Sequence, residues 1–169
     1  MIPNGVRLRW TEGKPVINGW LSTSSAFVAE IMSAQGYDSL TIDLQHGLVG
    51  YEAATAMLQA MRASGVTPMV RVPWLDPGDI MKALDAGAYG IICPMINSRA
   101  EAERLISYLH YPPQGQRSFG PTRAIFAAGA DYGQKADDEI LAFAMIETAE
   151  AMKNLDEIVK TPGLDGVYI

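Results

Sequence analysis

The chain of 169 residues has a single cysteine, Cys93, so it can form neither an internal disulfide nor a zinc site built on several thiolates. Positive charge is also scarce: 13 Lys and Arg stand against 19 Asp and Glu, a net charge of −6, and the basic residues nowhere cluster into a stripe. Nucleic acid and anionic membrane are therefore poor partners, because both are bound through concentrated positive charge. No apolar run approaches the ~20 residues that cross a bilayer, and Met1 to Trp20 lacks an apolar stretch followed by a small-residue cleavage site. These absences lead to the expectation of a cytoplasmic protein. The G-x-G-x-x-G and G-x-x-x-x-G-K-[ST] phosphate loops are missing as well, which removes the nucleotide-binding argument for a doubly wound open sheet. What remains is a chain that is 49% hydrophobic and 19% charged, sufficient for a core of ordinary size.

Short β-rich runs alternate with longer segments of helical period, the order expected of parallel strands joined by crossover helices. Strands are expected at 16–21, 39–44, 68–72, 90–93, 140–146 and 164–169. Helices are expected at 25–35, from Tyr51 to about Ser64, from Pro77 to about Ala86, after Ser98 to about Tyr111, and at 149–160. Two starts carry capping chemistry: Asp76 precedes Pro77, and Ser98 stands three residues before Glu101. Strand starts fall roughly 22 to 29 residues apart, the pitch of a (β/α)8 TIM barrel, except between the fourth and fifth. That interval, 112–138, is rich in Pro and Gly and reads as a loop with one short helix. About six of eight barrel strands are accounted for in one incomplete domain over 1–169. The expectation is a chain shortened before its last quarter.

In such a barrel the working residues sit at the carboxyl ends of the strands. The polar groups there are Trp20 to Ser22, Asp43 with His46, Arg71, and Glu147 with Thr148. Asp43 and His46 are near enough for the carboxylate to hold one imidazole nitrogen and leave the other to move a proton; a hydrogen-bonded structural histidine is the alternative. Arg71 follows the apolar run Pro68-Met69-Val70 and needs an anion, either a salt bridge to Asp43 or Glu147 or a substrate oxyanion. Glu147 closes an uncharged run and is a candidate ligand for a hard metal, with a second ligand to come from another strand end. Lys14, Lys82, Lys135, Lys153 and Lys160 all fall away from the strand ends, which argues against a Schiff base. Cys93 reads as a small core residue.

Taken in order, these pieces resemble the HpcH/HpaI family of class II, metal-dependent pyruvate aldolases, close to the 4-hydroxy-2-oxoheptanedioate aldolases. The resemblance runs from Gly19-Trp20-Leu21 through Ile42-Asp43-Leu44-Gln45-His46 and Val70-Arg71-Val72-Pro73. It continues through Pro94-Met95, Tyr111-Pro112-Pro113-x-Gly115-x-Arg117 and Ile146-Glu147-Thr148, and closes with 150–155 and 164–169. It implies a divalent ion, Mg²⁺, Mn²⁺, Co²⁺ or Zn²⁺, held by Glu147 and by an aspartate expected beyond Ile169. It implies His46 as acid/base residue oriented by Asp43, Arg71 as the group that stabilises the enolate oxygen and helps hold the 2-oxo acid, and Trp20 as a pocket wall. The partners implied are a 2-oxo acid, an aldehyde and further copies of the chain, hexameric at full length in the family. Gln45 stands where the family often has Glu, and Met145 where it often has Gln. Two other functions stay open: a lyase acting on acyl-CoA thioesters, disfavoured by the few basic residues at the rim, and a noncatalytic fragment.

Overall fold

The computed structural model describes residues 1–169. Its elements are helix α1 (Gly5–Thr11), strand β1 (Asn18–Leu21), α2 (Ala26–Ser33), β2 (Ser39–Asp43), α3 (Tyr51–Met61), β3 (Thr67–Arg71), α4 (Pro77–Asp85) and β4 (Gly90–Cys93). They continue with α5 (Arg99–Leu109), α6 (Thr122–Ala128), α7 (Tyr132–Glu139), β5 (Leu141–Met145), α8 (Ala149–Lys153), α9 (Leu155–Ile158) and β6 (Gly166–Tyr168). The strands form one parallel sheet in the order β1-β2-β3-β4-β5-β6.

Side-chain alternation along these strands explains both faces of the sheet. One parity, Leu21, Leu40, Ile42, Val70, Ile91, Cys93, Ala142 and Ala144, joins the large core packed with the helices. The other parity gives a small second cluster of Met69, Ile92 and Met145, against which Trp20 and Phe143 pack. The second cluster is the barrel interior. In a flat sheet β1 and β6 would lie five strand spacings apart, about 24 Å. Instead Trp20 of β1 and Tyr168 of β6 bring their rings to 5.4 Å, so the sheet is rolled into the greater part of a (β/α)8 barrel. Truncating a fully buried side chain of the large core, Leu40 or Ile42, would cost about 2–5 kcal/mol.

The expected helix starts are present as bonded caps. Asp76 Oδ1 accepts the N–H groups of Gly78 and Asp79 at 2.8 and 3.1 Å. Ser98 Oγ accepts from Glu101 N at 3.3 Å, and Glu101 reaches back to Asn97 N at 2.7 Å.

Three features differ from the sequence reading. Helix α1 lies ahead of Pro15 and went unread because it has seven residues and only Val6 is buried, too little for a period. It seals the amino-terminal end of the barrel: Trp10 packs edge-on against Phe143 at 6.1 Å, and Arg7 pairs with Asp165 at 2.7 Å. The long interval contains two helices, α6 and α7, where one was expected. The expected helix 149–160 breaks into α8 and α9 at Asn154, whose side-chain amide donates to Asn97 O at 2.7 Å.

Candidate active site

The strand pairing puts Asp43 of β2 beside Arg71 of β3 at the carboxyl rim. Both share the inward parity with Trp20. Asp43 is 3% exposed and accepts five hydrogen bonds. Arg71 donates from Nε to Oδ1 at 2.9 Å and from Nη2 to Oδ2 at 2.5 Å. Trp20 Nε1 donates to Oδ2 at 3.2 Å, and the backbone N–H groups of Gln45 and His46 donate to Oδ1 at 3.0 and 3.1 Å. Burial alone would raise the Asp43 pKa, but the Arg71 guanidinium and then the His46, Trp20 and Gln45 donors outweigh it and bring the carboxyl down to about 2. Asp43 is therefore a fixed anion. Arg71 also lies over the Trp20 ring at 4.9 Å.

This geometry corrects the expected Asp43–His46 contact. The carboxylate holds the backbone of His46 and not its imidazole, because its oxygens are already committed to Arg71, Trp20 and two amides. The His46 side chain is exposed and makes no hydrogen bond within the chain. Asp43 thus sets the turn on which the imidazole stands, without selecting its tautomer. Gly47 makes that turn possible: a Cβ there would lie 2.3 Å from Asp43 O and 3.2 Å from Ser22 Cα. Gln45 Oε1 is buried beside this turn without a donor.

Of the two carboxylates considered for Arg71, Asp43 and Glu147, the structure pairs it with Asp43. That pair uses Nε and Nη2, and Nη1 is left with no partner in the chain. The guanidinium is rigidly oriented by a bidentate contact on one edge and offers a free N–H edge on the other.

Glu147 lies just past β5, of the same parity as Phe143 and Met145; it is two strands from Arg71 across the sheet and four residues beyond Phe143, the residue in register with Arg71. It is exposed, and its Oε1 accepts Met95 N at 2.8 Å. Met95 holds that amide in place with φ of 58°, the single non-glycine residue in the left-handed region. A latch secures the two loops: Asn97 Nδ2 donates to Met95 O at 3.0 Å, and Thr148 Oγ1 donates to Asn97 Oδ1. Sequence reasoning missed this latch, since neither Asn97 nor the backbone of Met95 stands out by residue type.

One oxygen of Glu147 is engaged and the other is free, which suits a single monodentate carboxylate in a hard-ion site whose other positions go to water and substrate. No group of three or more His, Cys, Asp or Glu side chains converges anywhere in the chain. Of the two rim carboxylates expected, Asp43 has both oxygens engaged and Glu147 keeps one free. The structure unites Trp20, Asp43 and Arg71 in one bonded network, puts His46 on the adjoining turn, and sets Glu147 across the rim with no direct bond to them.

Two residue types are removed from the reactive groups of these six strand ends. No lysine lies on a strand or at a strand's carboxyl end. Cys93 is fully buried in the core, and burial, followed by the charges of Glu101 and Glu147, pushes its thiol up to about 12.

A rolled parallel sheet with an acid, a paired arginine, a histidine and a second acid on its carboxyl rim defines a barrel of the enzyme-bearing kind. The profile of the HpcH/HpaI aldolase/citrate lyase family matches residues 17–169, and the chain belongs to that family. It is 48% identical over 166 residues to a hydroxypyruvate/pyruvate aldolase from Rhizorhabdus wittichii, covering 98% of this chain and 66% of the relative. It is 36% identical over 169 residues to a 4-hydroxy-2-oxo-heptane-1,7-dioate aldolase from Shigella flexneri, covering 98% and 63%. Among solved structures, an HpcH/HpaI aldolase/citrate lyase family protein from Burkholderia cenocepacia superimposes with a TM-score of 0.89 at 29% identity, covering 97% of this chain and 67% of the other. The chain spans about two thirds of the length of these relatives. No helix is long and apolar enough to cross a membrane.

Proposed function

We propose that the rim serves a reversible, metal-dependent aldol reaction, in which a 4-hydroxy-2-oxo acid is cleaved to an aldehyde and pyruvate or hydroxypyruvate. The observation that carries this reading is Arg71: locked by Asp43 and stacked on Trp20 at the carboxyl rim, it keeps Nη1 without a partner in the chain. In the cleavage direction a base removes the C4 hydroxyl proton, the C3–C4 bond breaks as C4 becomes a carbonyl, and the electron pair moves onto the C2 oxygen. Arg71 Nη1 faces that developing negative charge, a preorganised donor whose geometry is fixed before the reaction starts. Protonation at C3 then completes the 2-oxo acid.

His46 is the residue for both proton transfers, since its imidazole is exposed, unengaged and carried on a turn anchored to Asp43. Glu147, with its free oxygen, would hold the divalent ion together with an aspartate beyond Ile169. When bound, that ion supplies electrophilic polarisation of the 2-oxo group. Trp20 forms a wall behind the guanidinium. The names of the 48% and 36% identical relatives support the substrate class.

The test is release of the 2-oxo acid from a 4-hydroxy-2-oxo acid by the chain extended to the length of its relatives, with and without chelator. Turnover should vanish on chelation, return with Mg²⁺ or Mn²⁺, and fall roughly 10²-fold or more in His46→Ala. Undiminished turnover without metal would overturn the reading.

A further inference from the structure

Of the eight arginines, six have a carboxylate within 4.0 Å: Arg7, Arg9, Arg71, Arg99, Arg104 and Arg117. The two without one, Arg62 and Arg123, line the same cavity. In a chain with an excess of acids this is an unusual coincidence, and no Asp or Glu lines the cavity to neutralise it. The cavity lies at the amino-terminal end of the barrel, beside Thr67 at the start of β3. It is thus roughly 13 Å along that strand from Arg71 and distinct from the rim.

Each guanidinium is oriented by a helix. Arg123 Nη1 donates to Ala86 O at the end of α4. Arg62 Nη2 donates to Phe126 O in the last turn of α6 at 3.2 Å, with its guanidinium 4.8 Å from the Phe126 ring. These contacts use one nitrogen of each fork and leave the others without partners in the chain. Two like charges held this way repel: burial, and then the charge of Arg62, lower the pKa of Arg123. The remaining wall includes Ile2, Leu58, Met61 and Val66, and the cavity volume is about 90 Å³.

We propose that this cavity binds a small organic carboxylate, with the charge held between Arg62 and Arg123 and a short aliphatic body against Leu58, Met61 and Val66. An anion there relieves the repulsion between the two guanidiniums and satisfies their free N–H groups, while the apolar wall accepts two or three carbons. The apolar wall favours a carboxylate with a short aliphatic body, such as propionate, over a wholly polar anion.

The experiment is thermal unfolding of the 169-residue chain titrated with sodium propionate, sodium phosphate and sodium chloride at matched ionic strength. Propionate should give a saturable rise of roughly 5 °C at a hundredfold excess over its dissociation constant, and chloride none. Arg62→Gln, at an exposed position, should keep the fold and lose the propionate response. Arg123→Lys, which keeps the charge but not the fork, should weaken it at least tenfold. Equal shifts with propionate and chloride, or an undiminished response in Arg62→Gln, would overturn the site. A response to phosphate but not to propionate would overturn the assignment to a carboxylate.

Discussion

Replacing Asp43 with Asn changes one atom and tests how the rim is held together. The carboxylate is 3% exposed and accepts two bonds from Arg71, one from Trp20 and two from backbone amides. An amide keeps one acceptor oxygen and turns the other position into a donor that faces donors. The Arg71 side chain, 11% exposed, then loses its counter-charge while remaining largely out of water. Breaking one side of a buried pair costs about 3–5 kcal/mol, most of it the penalty of the charge left behind. For a chain of this size that lowers the unfolding midpoint by roughly 10 °C. Circular dichroism melts and urea unfolding at pH 7 measure it. Arg71→Met and the double variant complete a thermodynamic cycle, in which the two penalties should fail to add by about 2 kcal/mol, because the second replacement removes the charge the first one stranded. A loss below about 1 kcal/mol for Asp43→Asn, or penalties that simply add, would refute the view that this pair organises the rim.

Two further outcomes follow from the same geometry. The folded pKa of Asp43 lies at about 2, below its ordinary value of 3.8, so its contribution is complete above pH 4 and is lost as pH falls toward 2. Urea unfolding between pH 5 and pH 2 should show a loss on the order of 2 kcal/mol that Asp43→Asn lacks, and an equal slope in both proteins would contradict this. Gly47→Ala would put a methyl group 2.3 Å from Asp43 O, forcing the His46 turn to shift at a cost of about 1–3 kcal/mol, and an unchanged urea midpoint would show that the turn is not packed as described.

The fold was legible in the sequence because parallel strands buried on both faces write themselves as apolar runs, and because Asp76-Pro77 and Ser98-x-x-Glu101 mark helix starts by their hydrogen-bonding chemistry. Helix α1 has one such mark, Asn4, whose side chain accepts Val6 N at 3.0 Å, but with Val6 its one buried residue there is no apolar period to go with it. The break at Asn154 depends on a contact with Asn97, 57 residues away, and no local pattern encodes it.

At the rim, Trp20, Asp43 and Arg71 were legible as polar groups closing apolar strands, but their bonding was not. Asp43 is near His46 in sequence, yet the neighbouring strand brings it a stronger partner, and Coulomb attraction to Arg71 decides the contact that chain proximity suggested for the imidazole. The amide that positions Glu147 belongs to Met95, a residue type that carries no chemical signal; its positive φ emerges only from the backbone.

The central claim is that this rim makes a methyl carbon beside a ketone acidic. It is tested most directly by ¹H NMR of pyruvate in D₂O with the chain extended to the length of its relatives. The methyl signal should disappear by exchange for deuterium in the presence of Mn²⁺ or Mg²⁺, with Mg²⁺ used for the spectra. Exchange should stop with chelator, and it should be slowed at least 10²-fold by Arg71→Met and by Glu147→Gln. Exchange that proceeds at the same rate in chelator, or in either variant, would contradict the account.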